Sequence, residues 1–202
     1  MISIAITVCN EYKELETLLD YLQEQALSPS YEVVVQIDQD NYTKEVLGVI
    51  LNRGIKHWFY PLNKDFASYK NELKTHCLGE FIFQIDADEL IAPEMLELLP
   101  QILEANPEVD LYYVPRINTV EGITPEHIQK WGWRYENKRV NWPDYQTRIY
   151  RNVPEIKWRN AVHEVIEGHK QFTVLPAVDE LALIHHKTIE RQEKQNNFYN
   201  TI

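Results

Sequence analysis

Cysteine and glycine are scarce, 2 and 6 among 202 residues. Cys9 and Cys77 have no framework spacing, which excludes a disulfide scaffold and reads as two reduced core thiols of a reducing compartment. Glycine is too sparse for a phosphate-cradling loop: the first apolar segment ends Thr7-Val8-Cys9-Asn10-Glu11, with neither G-x-G-x-x-G nor G-K-[ST]. That absence excludes dehydrogenase and P-loop chemistry. No apolar run reaches the roughly 18 residues of a membrane span. The amino terminus has no basic segment and enters a strand at once, so no signal peptide and a cytoplasmic location are expected. Basic residues are in deficit, 20 Lys and Arg against 31 Asp and Glu, for a net charge of −11. Such a surface repels a phosphate backbone and excludes nucleic acid as a general partner. A small phosphorylated ligand is still admissible where a divalent cation reverses the local field.

What is present is ordinary globular material, 44% hydrophobic and 25% charged, enough for one well-buried α/β core. Apolar β-branched runs predict strands at 2–8, 31–37, 56–60 and 81–85. Helical periodicity predicts helices at 14–25, 43–52 and 66–77 between them, with Gly54 and Gly79 as stops. This alternation is that of a doubly wound, mostly parallel sheet, in which ligands bind at the carboxyl ends of the strands. Those ends carry Glu11, then Asp38 and Asp40, then Asp65, then Asp86, Asp88 and Glu89. Further on, Pro93 opens a helix to about 105 and 111–115 is a strand. Residues 117–144 read as a long irregular aromatic loop. A strand at 146–151 has a hairpin partner at 156–158, 162–166 is a short apolar turn or helix, and 182–184 is a last strand before His185-His186. A polar helix follows from 188 to about 199. No linker is visible, so one domain is expected over 1–202, with a nucleotide-binding half (1–90) and an acceptor-side half with the C-terminal helix (91–202). Trp131, Trp133, Trp142 and Trp158 gather in the second half; they read either as a surface that stacks on a flat sugar ring or as a second small core.

The sharpest feature is Phe81-Ile82-Phe83-Gln84-Ile85-Asp86-Ala87-Asp88-Glu89. An apolar strand delivers two carboxylates spaced by one small residue to the sheet rim. On an extended chain both would point the same way. Two hard oxygen ligands suit Mg²⁺ or Mn²⁺, which keep positions open for phosphates. The competing reading is a solvated acidic turn.

The words around this motif resemble the inverting family-2 glycosyltransferases of the GT-A fold. They are Ser3–Glu11, Asn63–Asn71, Gly79–Glu89, Gln146–Asn152 and Trp158–Glu164, in order along nearly the whole chain. The resemblance implies a metal-dependent glycosyltransferase moving a hexose from a nucleotide-sugar, a UDP-hexose first, to the hydroxyl of a glycan or other acceptor, with inversion. It implies that Thr7, Glu11 and Asp38 line the nucleoside pocket, with Asp38 accepting from a base N–H. Lys70, where the family often has Arg, would neutralise diphosphate. Asp86 and Asp88 would hold Mn²⁺ or Mg²⁺, with His185 as third ligand in preference to His186. Glu164 is the candidate general base, Asp144 a weaker one, and His163 would orient the base or touch phosphate. Arg148 and Arg151 would organise the second half or help clamp diphosphate. For Asp38 the competing role is a turn residue, for Lys70 a solvated helix face, and for Glu164 a helix-start carboxylate. Two other classes compete. A nucleotidyltransferase would need a glycine-rich or basic triphosphate loop, and a carbohydrate-binding module would leave the rim carboxylates unexplained.

Overall fold

The structure is a computed structural model, and it describes residues 1–199. Four parallel strands form its first half: β1 (Ile2–Val8), β2 (Tyr31–Asp38), β3 (Lys56–Tyr60) and β4 (Phe81–Asp86), in the order β3-β2-β1-β4. Between them run α1 (Tyr12–Glu24), α2 (Lys44–Asn52) and α3 (Phe66–Thr75). α2 and α3 begin where the chain supplies a cap: Thr43 accepts from the Val46 N–H and Asp65 from the Ser68 N–H, satisfying donors a helix leaves unpaired. α1 buries Leu15, Leu18, Leu19 and Leu22, one face at helical spacing. Glycine is required at position 79, because a Cβ there would lie 2.5 Å from the Ser3 backbone nitrogen.

The sheet continues past β4. β5 (Glu89–Ile91) follows at once, then α4 (Pro93–Ala105), β6 (Leu111–Glu121), α5 (Pro125–Trp131), β7 (Tyr135–Glu136) and β8 (Arg139–Arg151). β9 (Lys157–Arg159), β10 (Val165–Glu167), β11 (Phe172–Val174), β12 (Leu183–Thr188) and α6 (Ile189–Tyr199) complete it. The full order is β3-β2-β1-β4-β8-β6-β12-β5. β8 enters antiparallel between β4 and β6, and β12 runs parallel to β6 and antiparallel to β5. The sheet is therefore mixed, with parallel pairings in the majority. Two apolar clusters fill its two sides, a large one under α1, α2 and α4 and a smaller one around Ala5, Leu73, Tyr150 and Trp158.

Two expectations for the second half are overturned and a third is met in part. Residues 117–144 are not an irregular loop: they hold the end of β6, a capped helix, β7 and the start of β8. The sequence hid this because charged and aromatic residues alternate there without an apolar stripe, and α5 buries none of its residues. Residues 156–158 do not pair with β8; β9 pairs with β10 in a separate two-stranded sheet. Residues 162–166 are the turn and second strand of that hairpin, so Glu164 does not start a helix.

No helix among the described residues is long and apolar enough to cross a membrane.

Candidate functional site

A cleft of about 1210 Å³ opens along the carboxyl rim of β1, β2 and β4 and runs on under β6, β8, β12 and α6. Every sequence-predicted site residue lines it: Thr7, Glu11, Asp38, Lys70, Asp86, Asp88, Glu164 and His185. Arg148 lines it as well, but Arg151 does not. It lies three residues beyond Arg148 on β8 and pairs with Glu80 and Asp110 at the other end of the strand.

Asp86 ends β4, in register with Thr7 of β1, whose hydroxyl lies 3.3 Å from Asp86 Oδ1. Asp88 is not on an extended strand. Ala87 and Asp88 form the turn into β5, so the two carboxylates face different partners across the rim. Asp86 Oδ2 accepts from Arg148 Nη2 at 2.8 Å. Asp88 Oδ2 lies 3.2 Å from His185 Nε2 and 3.2 Å from Arg191 of α6. Burial would push Asp86 up, but the Arg148 and Lys70 charges hold it far below the usual carboxylate range. Asp88 also feels burial, and the hydrogen bond and charge of His185 bring it below its ordinary value.

Strand register places His185. It stands opposite Glu89 of β5 and opposite Asn118 of β6. β12 alternates buried and exposed side chains, so His185 turns into the cleft at 6% exposure while His186 turns out. Asn118 Nδ2 donates to Asp144 Oδ2 at 2.8 Å, which leaves its Oδ1 to accept from His185 Nδ1, also at 2.8 Å. With Nδ1 donating to Asn118, Nε2 faces the Asp88 carboxylate: an imidazolium donates to Asp88 from there, and a neutral ring turns its Nε2 lone pair to the same place. Two acceptors side by side are the arrangement a divalent cation satisfies, and the Asn118 bond is the outer partner such a histidine needs. Among the described residues no group of three His, Cys, Asp or Glu side chains stands together as a self-sufficient metal site. The pair suits a cation that takes its remaining ligands from water and substrate oxygens.

Behind the rim lies a charge network that sequence reasoning missed. Glu89 is fully buried and its Oε1 accepts from Arg148 at 2.7 Å and Arg116 at 2.8 Å, while its Oε2 accepts from the Asp86 N–H at 3.1 Å. Arg116 Nη2 also reaches Asp144 Oδ2 at 2.7 Å, and Gln146 donates to Asp144 Oδ1 at 2.9 Å. Asp144, the weaker base candidate, thus has both oxygens engaged; burial raises it, and Arg116, Asn118 and Gln146 outweigh that to hold it low. A signal existed in the alternation Arg116-x-Asn118 on one strand and Asp144-x-Gln146-x-Arg148 on its neighbour, a polar face in the middle of a sheet.

Across the cleft Lys70 and Glu164 meet at 2.5 Å. Lys70 is 5% exposed and its ammonium lies 4.5 Å from the Trp158 ring centre. The solvated-face reading of Lys70 is therefore wrong. Glu164 stands in the β9–β10 turn, which Asn71 of α3 holds by two hydrogen bonds of 2.9 Å to the Trp158 backbone. Asp38 lines the nucleoside side, but Oδ1 accepts from the Asp40 and Leu62 N–H groups and Oδ2 from Asn41. Glu11 folds back onto the Cys9 and Asn10 N–H groups.

A parallel β3-β2-β1-β4 half with an acidic turn at its rim, completed by an antiparallel strand and a histidine-bearing last strand, is the arrangement of the GT-A fold. The chain belongs to glycosyl transferase family 2, whose sequence profile matches residues 3–163. Among solved structures it is similar to TarS of S. aureus, at 18% identity and a TM-score of 0.63, over 96% of this chain and 38% of TarS. The 1–349 fragment of TarS in complex with UDP-GlcNAc superposes at a TM-score of 0.65 and 18% identity, over 92% and 58%. The mannosyltransferase PcManGT from Pyrobaculum calidifontis, in complex with GDP-Man and Mn²⁺, does so at 0.59 and 14%, over 91% and 56%. This chain spans less than two thirds of the length of each, and the likeness is one of fold. No curated protein matches the sequence significantly.

Proposed function

We propose that the chain is a single catalytic domain that transfers a hexose from a nucleotide-sugar, UDP-hexose first, to an acceptor hydroxyl with inversion, and that it uses Mn²⁺ or Mg²⁺. The observation that carries this reading is the convergence of Asp88 and His185 at 3.2 Å beside Asp86, at the rim where a doubly wound sheet binds its ligand. TarS with UDP-GlcNAc supports a uridine donor, and PcManGT with Mn²⁺ supports a divalent ion. Asp88 and His185 would hold the ion, with Asp86 beside them. When bound, it supplies positive charge against the leaving nucleoside diphosphate.

The chain's own groups do the rest. Thr7, Glu11 and Asp38 shape the nucleoside end of the cleft. Asp38 would receive the base N–H in exchange for one of its present backbone donors. Arg148 keeps Asp86 ionised and aimed at the rim. Glu164 takes the proton from the acceptor hydroxyl, and Lys70 holds its carboxylate in place. Lys70 can instead turn to the diphosphate, since a lysine ammonium is a point charge with no fixed fork. His163, beside Glu164 and also lining the cleft, would orient the base or touch phosphate.

The test is a thermal shift with UDP, with and without Mn²⁺, beside an assay of nucleoside diphosphate released from a donor panel. A UDP-dependent rise that needs the metal is expected, and Asp88→Ala should abolish it while the fold persists. A UDP shift that ignores metal would remove the metal assignment. Glu164→Gln is expected to spare donor binding and stop transfer; full turnover would remove it as base.

A further inference from the structure

Trp131 and Trp133 take no part in the machinery above, and neither belongs to an apolar core cluster, whereas Trp158 does. Trp131 ends α5, which is capped at both ends, by a Thr124–His127 capping box and by Gly132 at φ 63°, and Trp133 follows that cap. The helix buries none of its residues. A capped helix with no core to serve has its purpose in what it displays. The left-handed glycine folds the chain so that the two indoles meet, ring centres 4.6 Å apart and planes at 46°. His127, one turn back, stacks on Trp131 at 5.2 Å and 16°. Trp133 is the member of this stack that lines the cleft.

Its position follows from strand register. β7 sets Tyr135 opposite Val140, and Val140 stands opposite Asn118, the residue that holds both His185 and Asp144. On its other side His127 lies 3.8 Å from Glu193 of α6, the helix whose Arg191 reaches Asp88. The aromatic stack thus stands at the end of the cleft away from the nucleoside rim. A flat, half-buried indole that lines the same cleft as Asn118, Asn141 and Asp144 matches a ring that is apolar on one face and hydroxylated at its edge.

We propose that Trp133, backed by Trp131 and His127, is the acceptor platform, and that the acceptor is a pyranoside whose C–H face stacks on the indole. This rests on the glycosyl-transfer reading of the cleft. The test is binding of methyl pyranosides to the full chain, followed by saturation-transfer NMR and tryptophan fluorescence. The panel comprises both anomers of glucose, galactose, mannose and N-acetylglucosamine. At least one is expected to bind. Trp133→Ala should weaken it about tenfold and Trp133→Phe by less, since stacking contributes on the order of 1 kcal/mol beyond area. Binding of UDP with Mn²⁺ should be unchanged in both variants. If no panel member binds the wild-type chain, or if Trp133→Ala binds as well as wild type, the platform is refuted. Pyranoside binding without any UDP binding would instead sink the transferase reading, leaving a lectin. Because Trp133 lies outside both apolar core clusters, the alanine variant should nearly keep its melting temperature, and a large drop would also count against the assignment.

Discussion

Replacing Glu89 by glutamine probes the charge network under the site without changing its shape. The carboxylate is fully buried between Arg116 at 2.8 Å and Arg148 at 2.7 Å. At an effective dielectric near 20, each such pair attracts by about 4 kcal/mol gross. Desolvation of the ions takes back several kcal/mol, so the whole is worth far less than the sum. Removing one partner is different, because the two guanidiniums remain buried with one negative charge fewer. That class of change costs about 3–5 kcal/mol. Glutamine can still present one oxygen to both arginines, but its amide then faces the Asp86 N–H, donor against donor, where the carboxylate accepted at 3.1 Å. A loss of about 3 kcal/mol is expected. For a chain of this size it lowers the melting temperature by roughly 6–12 °C. Urea unfolding and calorimetry would read it, with the slope of the urea transition unchanged. A melting temperature within about 2 °C of wild type would refute the view that Glu89 holds the network together.

Two further predictions follow from the same geometry. Asp144 and Asp86 are held low in the folded chain: burial opposes this, but Arg116 with Asn118 and Arg148 with Lys70 outweigh it. A depressed carboxylate stabilises the fold above its unfolded value of about 3.9 and loses that contribution as the pH falls through the folded value. Stability should therefore drop steeply below about pH 4, and Asp144→Asn should flatten that drop; an unchanged profile would contradict the pairing. Asn71→Ala removes both hydrogen bonds that tie the Glu164-bearing hairpin to α3, and should cost about 2 kcal/mol. It should also lower the transfer rate while leaving UDP affinity intact, measured by calorimetry and single-turnover assay. A loss of UDP affinity instead would mean the hairpin serves the donor.

The first half of the fold was legible because its strands are continuous β-branched runs separated by leucine-striped helices, and such periods are read directly. α4 was legible for the same reason, with Pro93 marking its start. β6 and β8 were cut short because their cleft-facing positions, Arg116, Asn118, Asp144 and Gln146, break the apolar pattern. α5 escaped because a helix that buries nothing has no stripe. In the site, the acidic rim could be framed from local words, while His185 was preferred to His186 only on the family resemblance, and the alternation of β12 is what turns it inward. What joins them could not. The antiparallel return of β12 beside β5 is a long-range pairing across nearly a hundred residues, and it is what sets His185 against Asp88 and Glu89. Glu89 was read as part of an acidic word, and only its neighbours in space reveal a carboxylate shared by two arginines. Lys70 could be read as a diphosphate partner or as a solvated helix face, and Trp158 of β9 with Glu164 rules out the second.

The central claim is that Asp88 and His185 together grip the divalent ion on which the donor diphosphate rests. Crystals soaked with Mn²⁺ and UDP, with data collected at the manganese edge, test it directly. The account predicts one anomalous peak bonded to the Asp88 carboxylate and His185 Nε2 and in contact with phosphate oxygens. UDP bound in the cleft with no manganese between those two side chains would contradict it.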